Sequence, residues 1–375
     1  MNVFRRLPLS RLLLLCGLVV AIGISATALA SALGGGAKPA AEPLAEAVHD
    51  ALGGTPVEGV SANITLTNHL LEGASLAGGG GAAGGASGGG QVGELASSPL
   101  LSGGSGRLWI AKDGRVRLEL QAEKGDTQIL YDGHTVTVYD ASTNTLYRYT
   151  PKAEEGSTSG STPAEKGREV PSLAKIEEAI SKAKEHADLS ATPANVAGQP
   201  AYTVRVSPKE GGSLIGGAEL SFDAVHGIPL RAAVYSSTSS APVIELAATE
   251  VSYGPVDGSV FSITPPASAK VEEINPSGSS STQTGSTASG GAAKPKLTAH
   301  GHGITAIEVL ESQSKTGTKG SGAMEGLPKV DINGASASEL RTALGTILSF
   351  ERSGVRYVVA GAVSPAAVEA LARGL

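Results

Sequence analysis

Gly106-Arg107-Leu108-Trp109-Ile110-Ala111-Lys112-Asp113-Gly114-Arg115-Val116-Arg117-Leu118-Glu119-Leu120 sets the fold. Its pattern returns at Thr127-Gln128-Ile129-Leu130-Tyr131-Asp132-Gly133-His134-Thr135-Val136-Thr137-Val138-Tyr139-Asp140. In each half an Asp-Gly pair is flanked by alternating apolar and polar residues. Successive side chains of a strand point to opposite faces, so Val116, Leu118 and Leu120 share one face and Arg115, Arg117 and Glu119 the other. Asp-Gly between two such runs is a strong hairpin signal. It predicts type I′ turns, in which both central residues take positive φ. A turn at Ser142-Thr143-Asn144 then leads into a closing strand, Thr145 to Tyr149. The expected product is a meander of short antiparallel strands, each with one apolar face.

Working outward, Pro43 to Leu52 reads as a helix: Pro43 suits a first turn, Leu44 and Val48 fall four apart, and Gly53-Gly54 ends it. From Val57 to Leu71 the residues Val60, Ala62, Ile64 and Leu66 alternate as a strand. Residues 73–104 are mostly Gly, Ala and Ser, without an apolar period, and read as a flexible insertion. A polar loop, Lys152 to Gly167, precedes a helix capped by Ser172 with the stripe Leu173, Ile176, Ile180 and Ala183. Four further strands follow at Ala201–Val206, Ala218–Phe222, Ile228–Tyr235 and Val243–Tyr253. Residues 275–296 read as a linker. The tail, 297–375, gives Ile304 to Leu310, Lys329 to Ile332, a hairpin Ile347 to Ala360 turning at Ser353-Gly354, and a helix begun by Ser364-Pro365 carrying Val368 and Leu371.

Composition narrows the class. Of 375 residues, 51 are glycine and only 3% are aromatic, so the foldable part is smaller than the length suggests. A formal charge of -6 provides no basic footprint for nucleic acid. Arg5, Arg6 and Arg11 precede an apolar run from Leu12 to Ala30 that ends in Ala28-Leu29-Ala30. Residues 1–30 therefore read as a secretory leader cut before Ser31, or as an uncut membrane anchor. The sole cysteine, Cys16, lies inside that run, behind Leu14-Leu15 rather than the small residues of a lipidation site. A chain that loses the leader has no thiol chemistry.

The order Gly106, Leu108-Trp109-Ile110, Lys112, Ile129, Asp132-Gly133, Thr135 and Tyr139 resembles the LolA-type lipoprotein carriers and their MucB/RseB-type relatives. Three other stretches resemble the same superfamily: Asn195 to Tyr202, Gly227-Ile228-Pro229-Leu230-Arg231, and Phe261 to Pro266. Together the patterns cover roughly residues 41–274. Lys112-Asp113 stands where the carriers have arginine and proline. The tail resembles, more weakly, modules attached to similar carriers. The resemblance implies an α+β fold: an open antiparallel half-barrel covered by helices, extended here by a small C-terminal strand–hairpin–helix unit.

No constellation for catalysis stands out. Gly85-Ala86-Ser87-Gly88-Gly89 matches G-x-S-x-G but lacks a strand before it and a helix after it. His300-Gly301-His302 has only Glu308 nearby as a further metal ligand. Glu177-Glu178 and Glu272-Glu273 read as solvated charges. What remains is an apolar set on the strand faces: Leu108, Ile110, Val116, Leu118, Val136, Val138, Tyr202, Val204, Leu220, Phe222, Leu230 and Val234. It lines a lipid cavity or fills a dry core, and the sequence leaves both open. Lys112 and Arg231 are candidates for an anionic head group or a partner protein. The expectation is a non-enzymatic protein outside the cytoplasm, secreted or membrane-tethered, without a cofactor, that binds a lipid or an acylated protein. The alternative is an envelope-stress regulator that binds an anti-sigma factor or another membrane protein.

Overall fold

The computed structural model describes residues 36–71, 99–123, 125–150, 170–274, 295–313 and 327–375. The leader with Cys16, the glycine-rich tract with Ser87, the loop Lys152 to Gly167 and most of the 275–296 linker lie outside the described residues.

Twelve strands form one sheet: β1 (Gly59–Asn68), β2 (Gly104–Ala111), β3 (Val116–Ala122), β4 (Gly125–Tyr131), β5 (Val136–Asp140), β6 (Thr145–Tyr149), β7 (Ala187–Val196), β8 (Gln199–Pro208), β9 (Ile215–Asp223), β10 (Pro229–Ser236), β11 (Pro242–Tyr253) and β12 (Lys270–Glu273). The order is β12-β6-β5-β4-β3-β2-β1-β11-β10-β9-β8-β7. Only β12 and β6 run parallel; every other neighbouring pair is antiparallel. The sheet is open, and the meander expected from the two Asp-Gly halves is β2 to β6.

The turns themselves differ from expectation. Type I′ needs positive φ at the aspartate, yet Asp113 and Asp132 are absent from the positive-φ residues; only Gly114 (φ 86) and Gly133 (φ 99) are left-handed. Each aspartate instead bends its own loop. Asp113 Oδ1 accepts the Arg115 N–H at 3.2 Å, and Asp132 Oδ1 accepts those of His134 at 2.9 Å and Thr135 at 2.7 Å. Paired positive φ values occur at Ala197-Gly198 (53 and 80), Asn333-Gly334 (52 and 86) and Ser353-Gly354 (52 and 76). Two further readings are corrected. β7 was not expected as a strand; Pro193 lies in it, which an edge strand tolerates. The insertion ends before Gly104, because Pro99–Ser102 forms a short helix and β2 starts at Gly104.

Register puts the apolar residues on one face. One row runs Val204, Leu220, Ala232, Leu246, Leu66 from β8 to β1. Another runs Leu108, Leu118, Ile129, Val138 from β2 to β5. The central core joins Ala62, Ile64, Leu66, Leu108, Leu118, Leu120, Leu246 and Ala248. Each fully buried aliphatic side chain there contributes about 1.5–3 kcal/mol, against which chain entropy must be set.

Labelling helices in chain order, α1 is Leu44–Leu52, α2 Pro99–Ser102, α3 Leu173–Ala183 and α4 Pro365–Arg373. Ala47 and Ala51 of α1 pack on Tyr202 and Phe222 of the apolar face, and α3 lies against α1. Ser172 precedes its helix as expected, but its side chain makes no capping hydrogen bond, and Pro43 stands just before α1 rather than in its first turn.

Residues 296–361 build a second sheet: β13 (Lys296–His300), β14 (Ile307–Gln313), β15 (Lys329–Ile332), β16 (Ala335–Arg341), β17 (Thr346–Arg352) and β18 (Val355–Gly361), in the order β13-β14-β18-β17-β16-β15. Val368 and Ala372 of α4 close a core with Val309, Ile332, Leu348 and Val359. The tail is thus larger than the strand–hairpin–helix unit read from the sequence. β13 begins inside the stretch read as linker, and β16 carries too many small and polar residues (Ala335, Ser336, Ala337, Ser338, Glu339) to register as a strand. Hydrogen bonds tie the two sheets together. The Leu214 N–H and Ser213 hydroxyl donate to the Ala362 carbonyl at 2.7 and 3.0 Å, and the Ala343 N–H donates to the Leu70 carbonyl at 3.1 Å.

Candidate functional site

The apolar wall is closed along part of its length and open along the rest. Over β1 to β3 it is covered by Leu70, by Ala197 from the β7–β8 turn, and by Ala343 and Leu344 from the tip of the β16–β17 hairpin. That tip is a fixed turn: the Thr342 hydroxyl donates to the Gly345 carbonyl at 2.8 Å and accepts the Gly345 N–H at 3.0 Å. A small void of about 30 Å³ lies along this part of the wall, touched by Leu108, Ile110 and Leu230.

Over β8 to β11 the wall is open. A groove of about 520 Å³ lies between α1 and the strands, a size within the range of roughly 300–1,000 Å³ usual for small-molecule sites. It is lined by Val48, Ala51 and Leu52 of α1 and by Val204, Val206, Ala218, Leu220, Phe222, Pro229, Ala232, Val234 and Ile244 of the sheet and its margin. Glu219 is the single ionisable residue along it, and its carboxylate is engaged on the other face of the sheet. Leu52, Leu220 and Val206 are 55%, 42% and 39% exposed, large apolar side chains left facing this groove.

All twelve apolar residues singled out from the sequence share the wall, but the structure divides them. Val204, Leu220, Phe222 and Val234 line the open groove. Leu108, Leu118, Ile110 and Val116 belong to the central packed cluster. Leu230 is buried, and Tyr202 is buried with its hydroxyl donating to the Ala40 carbonyl at 2.8 Å. Val136 and Val138 lie half-buried on the far β5 wing. The α1 residues and Ala218, Ala232 and Ile244 were not singled out. Small residues carry little hydrophobic signal, and nothing in the helix pattern says which strands it overlies.

The two cations do not face the groove. Arg231 lies on the opposite, polar face. Its guanidinium is bound by Glu219 at 2.7 Å, by Glu245, and by the Tyr235 hydroxyl at 2.9 Å. Arg205 joins the same cluster, 2.7 Å from Glu219. Burial pushes the Glu219 carboxyl up, but hydrogen bonds from Tyr235, Arg231 and Arg205 outweigh it and hold the group below its ordinary range. Burial also raises the Tyr235 hydroxyl, reinforced by Glu219. Lys112, at the turn after β2, is exposed and pairs with Glu58 at 2.6 Å.

The other readings find their places. Glu178 pairs with Lys182, Glu272 with Lys270, and Glu273 with Arg148. His300 ends β13 and His302 precedes a short 3-10 turn. Among the described residues no group of three or more His, Cys, Asp or Glu is arranged to hold a metal ion, and no helix is long and apolar enough to cross a membrane.

No family model and no curated protein matches the chain. Solved structures do. The MucA/MucB complex of Pseudomonas aeruginosa is 14% identical with a TM-score of 0.39, over 87% of this chain and 95% of that one. A putative outer membrane lipoprotein-sorting protein domain of Vibrio parahaemolyticus is 9% identical with a TM-score of 0.20, over 58% and 95%. A LolA superfamily protein of Nitrosomonas europaea is 8% identical with a TM-score of 0.18, over 85% and 91%. What the groove can hold follows from its own side chains.

Proposed function

We propose that this chain is a non-enzymatic binder of an alkyl chain, carried by a lipid or an acylated protein, and that the groove between α1 and β8–β11 shields that chain from water while the protein transports or senses it. The supporting observation is the open groove of about 520 Å³ in which Leu52, Val206 and Leu220 stay exposed. Each methylene buried there contributes about 0.8 kcal/mol, so a chain of about ten offsets the cost of association. No group needs to be activated, and among the described residues no ionised side chain points into the groove. In this proposal residues 41–274 carry the ligand and residues 297–375 form a second module whose Ala343–Leu344 tip closes one end of the wall. Arg231, already saturated by its carboxylates, takes no part in holding a head group. In this proposal residues 1–30 serve as a leader or anchor, and the protein works outside the cytoplasm, secreted or tethered.

Solvent extraction of the purified full-length chain followed by mass spectrometry tests this reading. A stoichiometric acyl-bearing molecule is expected. A chain that yields none, and that also fails to take up an added fatty acid, removes the carrier. Recovery of a single-pass membrane protein from detergent-solubilised membranes would then support the regulator instead.

A further inference from the structure

The polar face of the twelve-stranded sheet carries a second recess, unrelated to the apolar groove. Two adjoining hollows, of about 210 and 420 Å³, cross β11, β1, β2 and β3 and share Asn63 and Arg107 in their walls. A β-bulge shapes the floor. The pairing of β1 with β11 slips between Asn63 and Ile64, leaving Thr249 outside the ladder, and its hydroxyl donates to the Asn63 carbonyl at 3.2 Å. Such bulges re-aim side chains on the strand they interrupt.

Register sets the chemistry in a row. Glu250, Asn63, Arg107 and Glu119 stand side by side on four consecutive strands, with Trp109 in the next row beside Ser61. Asn63 donates to one Glu250 oxygen at 2.7 Å, and among the described residues its own amide oxygen accepts no hydrogen bond. Glu119 meets Arg117 through one oxygen at 2.5 Å. Arg117 is engaged elsewhere through both terminal nitrogens, for it also donates to the Val260 and Ser262 carbonyls at 2.7 Å, while its buried Nε has no partner among the described residues. Arg107, by contrast, is exposed and has no hydrogen bond or ion pair among the described residues. Trp109 rests partly on the Leu130–Phe261 cluster while also lining the hollow.

We infer that this recess binds a neutral sugar chain. A pyranose presents hydroxyls that each donate and accept, together with an apolar ring face. The row alternates acceptor (Glu250), amide (Asn63), donor (Arg107) and acceptor (Glu119), and the indole offers an apolar surface beside it. One arginine between two carboxylates gives no excess of positive charge, so a polyanion is not the partner.

Trp109 is the chain's only tryptophan, so its fluorescence reports on this recess directly. The full-length chain is titrated with chitotriose, with maltotriose, and with a sulfated heparin disaccharide. The expected result is a saturable emission change at millimolar concentration or below for at least one neutral trisaccharide and none for the sulfated one. Arg107→Ala, which removes no hydrogen bond or ion pair among the described residues and so leaves the melting temperature nearly unchanged, weakens that binding about tenfold, as does Asn63→Ser. A groove variant such as Leu220→Asp leaves it intact. The inference is overturned if neither neutral sugar gives a saturable change, if only the sulfated sugar binds, or if folded Arg107→Ala binds as tightly as the parent.

Discussion

Leu220→Asp separates a groove that holds a ligand from a wall that is merely uncovered. Leu220 is 42% exposed at the centre of β9, with Val206 at 39% on β8 and Leu52 at 55% on α1. Full burial of a leucine or valine is worth about 1.5–3 kcal/mol, so each of the three leaves about 1 kcal/mol unrealised until something covers it. An alkyl chain lying on all three recovers about 3 kcal/mol, about two decades in Kd, beyond its own desolvation. Aspartate at position 220 forfeits the leucine's share. It also forces a carboxylate out of water when the chain binds, at several kcal/mol. Affinity for dodecanoate, read by isothermal titration, is therefore expected to fall at least about a hundredfold. Fold stability changes by no more than about 1 kcal/mol, because the carboxylate reaches solvent when the groove is empty. A folded Leu220→Asp protein that binds dodecanoate within about threefold of the parent refutes the reasoning.

Four further expectations follow from the same structure. Leu118→Ala, in the packed half of the wall, should cost about 2–5 kcal/mol in urea unfolding while leaving per-molecule dodecanoate affinity unchanged; the reverse pattern would put the site over β3. Leu344→Ser removes the plug from the hairpin tip, so an apolar dye such as anilinonaphthalene sulfonate should bind more strongly than to the parent, and unchanged dye emission would contradict the role given to that tip. In Gly106→Ala the new Cβ would fall 1.7 Å from the Glu119 carbonyl oxygen, so β2 and β3 must separate and thermal stability should drop by more than about 2 kcal/mol. Glu219 has a folded pKa below its ordinary value of 4.5, so its contribution is complete above that pH and is lost as acid protonates it. Unfolding midpoints should therefore fall on acidification below pH 4.5 more steeply in the parent than in Glu219→Gln, and equal slopes would contradict this.

Much of the fold was legible because alternation is a local signal. Gly106 to Tyr149 gave the meander, and Tyr202-Val204, Leu220-Phe222 and Val234 fell on one side, as register confirms. The turn chemistry was not legible. Asp-Gly promises I′ geometry only when the aspartate takes positive φ, and here its side chain captures the neighbouring N–H groups instead. β7 was missed because Asp188-Leu189-Ser190-Ala191-Thr192-Pro193 carries little hydrophobic weight. Its place at the sheet edge comes from pairing with β8. The division of the wall into packed and open halves was beyond reach, since it depends on Ala343 and Leu344 arriving from far along the chain. Arg231 shows the same limit: its partners Glu219 and Glu245 come from adjacent strands.

The most direct test is photo-crosslinking with a fatty acid bearing a diazirine on its alkyl chain, followed by peptide mapping. The account places the adducts on Val48–Leu52, Val204–Val206 and Ala218–Phe222, and competing dodecanoate should remove them. Adducts confined to β3 to β6, or labelling that dodecanoate does not displace, would contradict it.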